Sequence, residues 1–98
     1  MAFIDDYNFE LLINEAEGMV LRELGTQLEA YTGEICRCND CVVDMAAVAL
    51  NTVKPLYRFS LLGSLYAAQL MNEKNYADSV QQAVREAIEK VRQNPSHD

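Results

Sequence analysis

The stretch Cys36-Arg37-Cys38-Asn39-Asp40-Cys41-Val42-Val43-Asp44-Met45-Ala46-Ala47-Val48-Ala49-Leu50-Asn51 decides how this chain folds. From Val42 to Leu50 it is apolar almost all round, interrupted only by Asp44, and a helix of that kind must be buried on most sides. The helix is expected to begin at Asn39 or Asp40, both good caps, and to run to about Thr52, because Lys54-Pro55 ends it. Ala46, Ala47 and Ala49 are small enough to let neighbouring helices come close.

Cys36, Cys38 and Cys41 sit just before and at the start of that helix, where unsatisfied backbone N–H groups and the helix dipole favour thiolate over thiol. Three cysteines within six positions cannot form a disulfide framework, and cytosolic thiols are kept reduced, so metal binding is the better account of the cluster. Three thiolates suit zinc, and a structural zinc takes four ligands. The candidates for the fourth are His97, which is the only histidine, Asp44 three residues beyond Cys41, or a group from a second chain. His97 is the preferred one. The alternative is that the three are ordinary buried thiols. A catalytic zinc would need an open position and a general base, and the His-x-Glu motif of zinc deaminases is absent. His97 lies one residue from the end of a polar tail, a poor place for a precisely held base in Cys–His catalysis. The chain therefore reads as a non-enzyme.

Outward from the cysteines, apolar residues on the N-terminal side recur at helical spacing from Asn8 to Tyr31: Phe9, Leu12, Ile13, Ala16, Met19, Val20, Leu24, Leu28 and Tyr31. Asp5 or Asp6 is expected to cap this helix and Thr32-Gly33 to stop it. Gly18 and Gly25 either weaken it or admit a close neighbour. On the C-terminal side, residues 55–65 mix aromatic and aliphatic side chains with a Gly63-Ser64 turn signal, which predicts an extended loop or a short β-hairpin near 56–66. From Tyr66 onward, Leu70, Ala77, Val80, Val84, Ala87, Ile88 and Val91 predict a second long amphipathic helix, interrupted around Asn72 to Asn75 and ended by Asn94-Pro95. The fold class is thus all-α: two long helices around a short buried one.

The chain has 98 residues, the size of one domain spanning 1–98, and a chain this short gains from a metal or a partner subunit. Its formal charge of −7 is uneven: residues 1–34 carry one Arg against eight acids, whereas residues 54–92 carry six Lys or Arg against four. Such a balance speaks against bulk nucleic-acid binding but leaves the second half able to accept one small anion. No run approaches the roughly 18 apolar residues of a membrane span, and Met1-Ala2-Phe3-Ile4-Asp5-Asp6 has no signal-peptide pattern, so a cytoplasmic location is expected. Asn51, Lys54, Tyr57 and Arg58 gather hydrogen-bonding groups, two cations and an aromatic face where the buried helix ends, which are the groups a phosphate-bearing or purine ligand needs. In the competing reading Asn51 caps carbonyls, Tyr57 packs in the core and the cations are solvated.

The run from Cys36 to Tyr57 closely resembles the late competence protein ComFB family, in which a Cys-x-Cys-x-x-Cys knuckle is joined to Asp-hydrophobic-x-Ala-x-Ala-Leu-Asn and then to Pro-x-Tyr. Tyr7-Asn8, Gly63 with Tyr66, and Asn94-Pro95-Ser96-His97 are similar to family features as well. Two departures fall at the ligand end: Val53-Lys54-Pro55 stands where Pro-Pro is usual, and the segment between Tyr57 and Gly63 is unusually apolar. The resemblance implies a compact helical homodimer, a zinc site on the cysteines and a non-catalytic regulatory role in bacteria. It further implies a receptor for cyclic dinucleotides, chiefly cyclic di-GMP, linked to competence, motility and cell-size control. The rival expectation is a zinc-stabilised dimeric adaptor that binds a protein partner and no small ligand.

Overall fold

A computed structural model describes residues 2–72 and 75–95. Three helices carry the core. Helix α1, Ala16–Ala30, buries Ala16, Val20, Leu24 and Leu28, one residue per turn. Helix α2, Asn39–Leu50, buries Cys41, Met45, Ala46 and Ala49. Helix α4, Tyr76–Gln93, buries Tyr76, Val80, Ala83, Val84, Ala87, Ile88 and Val91 along one stripe. It lies across both α1 and α2, which also pack on each other, and Val53 and Leu56 fill the remaining space. Tyr31 at the end of α1 donates its hydroxyl to Glu89 of α4 at 3.4 Å, and the hydrogen bond from Arg92 holds the Glu89 carboxyl below its usual range.

Helix α1 starts eight residues later than the apolar spacing predicts. Two short 3₁₀ turns, Phe3–Asp6 and Phe9–Leu11, come first, followed by the two-residue strand β1, Ile13–Asn14. The cause is Asn14. Its Oδ1 accepts the backbone N–H of Ala16 at 3.1 Å and that of Leu56 at 2.7 Å, which ends the extended chain and opens the helix. Asp5 and Asp6 therefore sit in a 3₁₀ turn and do not cap α1, and Phe9, Leu12 and Ile13 are exposed where burial was expected. At the other end Tyr31 is extended and Gly33 adopts φ +122°, a conformation suited to glycine, so the expected stop is present. Gly18 and Gly25 face no neighbouring helix: a Cβ on Gly25 would meet nothing within 4 Å and one on Gly18 only the Arg22 side chain.

Helix α2 ends at Leu50, with the Asn51 N–H donating to the Ala47 and Val48 carbonyls at 3.1 and 3.2 Å. Its burial is less complete than its composition predicts, since Val43 is 58% exposed. No local hairpin forms at 56–66. Instead strand β2, Tyr57–Arg58, pairs antiparallel with the distant β1, Ile13 opposite Arg58 and Asn14 opposite Tyr57. Helix α3, Leu61–Met71, then occupies the stretch read as a turn. Gly63 serves close approach and not a turn, because a Cβ there would lie 2.9 Å from the Arg58 Cα, and so α3 can rest on β2. α3 buries Ala67 while Leu61, Leu62, Leu65 and Tyr66 stay exposed. The break between α3 and α4 and the end of α4 before Asn94-Pro95 fall where expected. Tyr76 donates its hydroxyl to the Lys54 carbonyl at 2.8 Å, and burial raises its pKa, keeping the donor proton in place.

Candidate metal centre

The loop from α1 to α2 folds back so that the three cysteine sulfurs lie within 4.8 Å of one another, the one group of three or more His, Cys, Asp or Glu suited to a metal among the described residues. Cys41 is buried in the first turn of α2, Cys36 is half-buried and Cys38 is exposed. Cys38 is the N-cap residue: its Sγ accepts the Cys41 N–H at 3.4 Å, in the place usually taken by a serine or aspartate oxygen. The helix N-terminus thus aims a backbone donor at the Cys38 sulfur.

Tetrahedral zinc with bonds of about 2.3 Å needs sulfurs about 3.8 Å apart. The observed spacing is within a small side-chain rotation of that, and three soft donors converging on one point fit a thiophilic ion such as zinc. A cavity of about 350 Å³ lined by Cys36, Cys38, Asn39 and Asp40 opens over the cluster and leaves an approach for a fourth ligand. Asp44 is half-buried one turn beyond Cys41. His97 lies outside the described residues.

The other candidates follow the C-terminus of α2. Asn51 is exposed at the helix end, Lys54 is exposed, Tyr57 is 53% exposed and Arg58 is half-buried. Tyr57 and Arg58 are neighbours in a strand, so their side chains leave it on opposite faces. Arg58 Nε donates to Glu15 Oε1 at 2.7 Å. Glu15 is itself pinned, its N–H donating to the Leu56 carbonyl at 2.8 Å. Asn14 and Glu15, which organise this end of the molecule, are not evident in the sequence, because each acts on residues more than forty positions away. An Asn-Glu pair at a helix start is the only local sign of them.

Among the described residues no helix is long and apolar enough to cross a membrane. Comparison with curated proteins finds no match. Among solved structures, the chain is similar to the late competence protein ComFB from Bacillus subtilis, with a TM-score of 0.66 and 26% identity over 87% of this chain and 92% of that one. The family model for late competence development protein ComFB matches residues 13–95, which takes in the cysteine knuckle, helices α1 to α4 of the described residues and the strand pair. The chain belongs to the ComFB family.

Proposed function

We propose that this protein is a non-catalytic regulatory receptor, stiffened by a structural zinc on Cys36, Cys38 and Cys41, that takes up a cyclic dinucleotide at the far end of α2. The observation that carries the reading is the layout of that helix. The cysteine sulfurs stand at its N-terminus and the candidate ligand groups follow its C-terminus, and twelve residues of helix span about 18 Å. A metal that far from the ligand end has no part in bond-breaking there, and its effect is to tie the α1–α2 turn. His97 completes the zinc site in this reading.

At the ligand end, Lys54 and Arg58 meet phosphate charge, Asn51 offers its amide, and the exposed Tyr57 ring stacks against a guanine. Because Tyr57 and Arg58 point to opposite faces of β2, a ligand that meets both has to reach around the strand. Titration calorimetry with cyclic di-GMP and cyclic di-AMP tests this, with saturable binding of one of them expected; no heat from either at high micromolar protein would sink it.

A second reading has its own support. Leu61, Leu62, Leu65 and Tyr66 on α3 are between 59% and 75% exposed, an apolar face of the kind that marks a protein interface. In the adaptor reading that face takes a protein partner and no nucleotide binds. Replacing both Lys54 and Arg58 by alanine separates the two. The receptor loses nucleotide binding and keeps its assembly state, whereas the adaptor has no nucleotide binding to lose and keeps its partner on the α3 face.

A further inference from the structure

We propose that Glu15 is an internal competitor for the anion site, its carboxylate occupying the Arg58 guanidinium until a phosphate of the ligand displaces it; this rests on the reading of Arg58 as a phosphate-binding residue. The geometry is specific. Glu15 Oε1 accepts from Arg58 Nε at 2.7 Å, and the two side chains are 35% and 38% exposed, so solvent and a solute can reach the pair. Neither partner reaches the other by chance rotation alone. Arg58 is set in register opposite Ile13 by the strand pair, and the Glu15 backbone is fastened to Leu56.

A carboxylate in contact with a guanidinium cancels its charge and fills one of its donors. A phosphate approaching Arg58 then meets a neutral pair with a negative group at its edge, and binding requires the carboxylate to give way. Glu15 lies at the N-terminus of α1, and its side chain makes no capping bond to its own helix. That leaves it a second resting place, since backbone N–H groups and the positive end of the dipole receive a displaced carboxylate. The pair therefore sets the ligand concentration at which the site fills. It also favours ligands whose phosphate is charged and unhindered enough to outcompete a carboxylate already in place.

Glu15→Gln isolates the effect, because the glutamine oxygen still accepts from Arg58 Nε while the charge is gone. A unit charge about 4 Å away is worth ~1 kcal/mol in water, which is about fivefold in affinity. Calorimetry with cyclic di-GMP on the full chain is expected to show about fivefold tighter binding for Glu15→Gln than for the unaltered protein. The gain should vanish when Arg58→Ala is added to both. Circular dichroism confirms the fold of each variant, and Glu15→Ala supplies a second removal of the charge. If the unaltered chain binds and both Glu15 variants bind equally or more weakly, the competitor role is wrong while the receptor reading stands. If binding appears only once Glu15 is replaced, the competitor role is supported in its strongest form. If no form binds, the receptor reading and the competitor fall together.

Discussion

Asn14 shows how much one side chain settles. By accepting from Ala16 and Leu56 at once, its amide oxygen stops a helical sequence pattern from becoming helix and holds the segment after α2 against the start of α1. Leucine or alanine in its place leaves two N–H groups, both on core residues, to find water or go unsatisfied. Asn14→Ala is expected to destabilise the fold by ~1–3 kcal/mol, read from urea unfolding, and a change below a few tenths would show that the amide is dispensable. Beyond the Asn14-Glu15 pair itself, the local sequence does not mark this residue. The apolar spacing runs through it, since Phe9, Leu12 and Ile13 continue the period of Ala16 and Val20, and only the distant partner Leu56 reveals where the helix must begin.

At the scale of elements, α2 and α4 are readable because their information is local: caps, apolar periods and a terminating proline all lie within the element. The strand pair is not, since β1 and β2 are two residues each and 43 positions separate Asn14 from Tyr57. α3 escapes for a different reason. Its apolar residues have no period, and Gly63-Ser64 means a turn unless β2 is known to lie beneath it. The cysteine knuckle is fully legible because its three donors fall within six residues, whereas Glu15, the partner of Arg58, is not. At the start of α2 the cap and a candidate metal ligand coincide in Cys38. Cys38→Ser separates them, because a serine oxygen caps a helix well but is a poor ligand for a thiophilic ion. The unaltered chain is expected to retain about one zinc after extensive dialysis, and the variant to lose it while keeping its helical dichroism. A metal-free protein of equal stability would count against a structural metal.

For the whole molecule, the radius of gyration is 15.7 Å, against about 13 Å for a globular chain of this length. The N-terminal aromatics Phe3, Tyr7 and Phe9, with ring centroids 4.9 to 6.1 Å apart, cluster in the open rather than in the core. Together with the bare face of α3 they leave a broad apolar surface that a second copy would cover. Light scattering behind size exclusion is expected to give a dimer mass, and Leu62→Glu with Leu65→Glu a monomer; a monomeric unaltered chain at tens of micromolar would refute this. One further consequence lies in the path of the backbone. Because Asn14 and Leu56 are joined, the segment between them is a closed circuit, and the cysteines sit near its midpoint. The entropic cost of closing such a circuit grows with the logarithm of its free length. A metal on Cys36, Cys38 and Cys41 would tie off only about five residues of that circuit, which by the same logarithm is worth ~0.1 kcal/mol. The link at Asn14 and a metal at the cysteines, at opposite ends of α1 and α2, would therefore act almost independently through the unfolded chain. Losing both, in Asn14→Ala combined with Cys38→Ser, should cost the sum of the separate losses to within about 0.5 kcal/mol in urea unfolding.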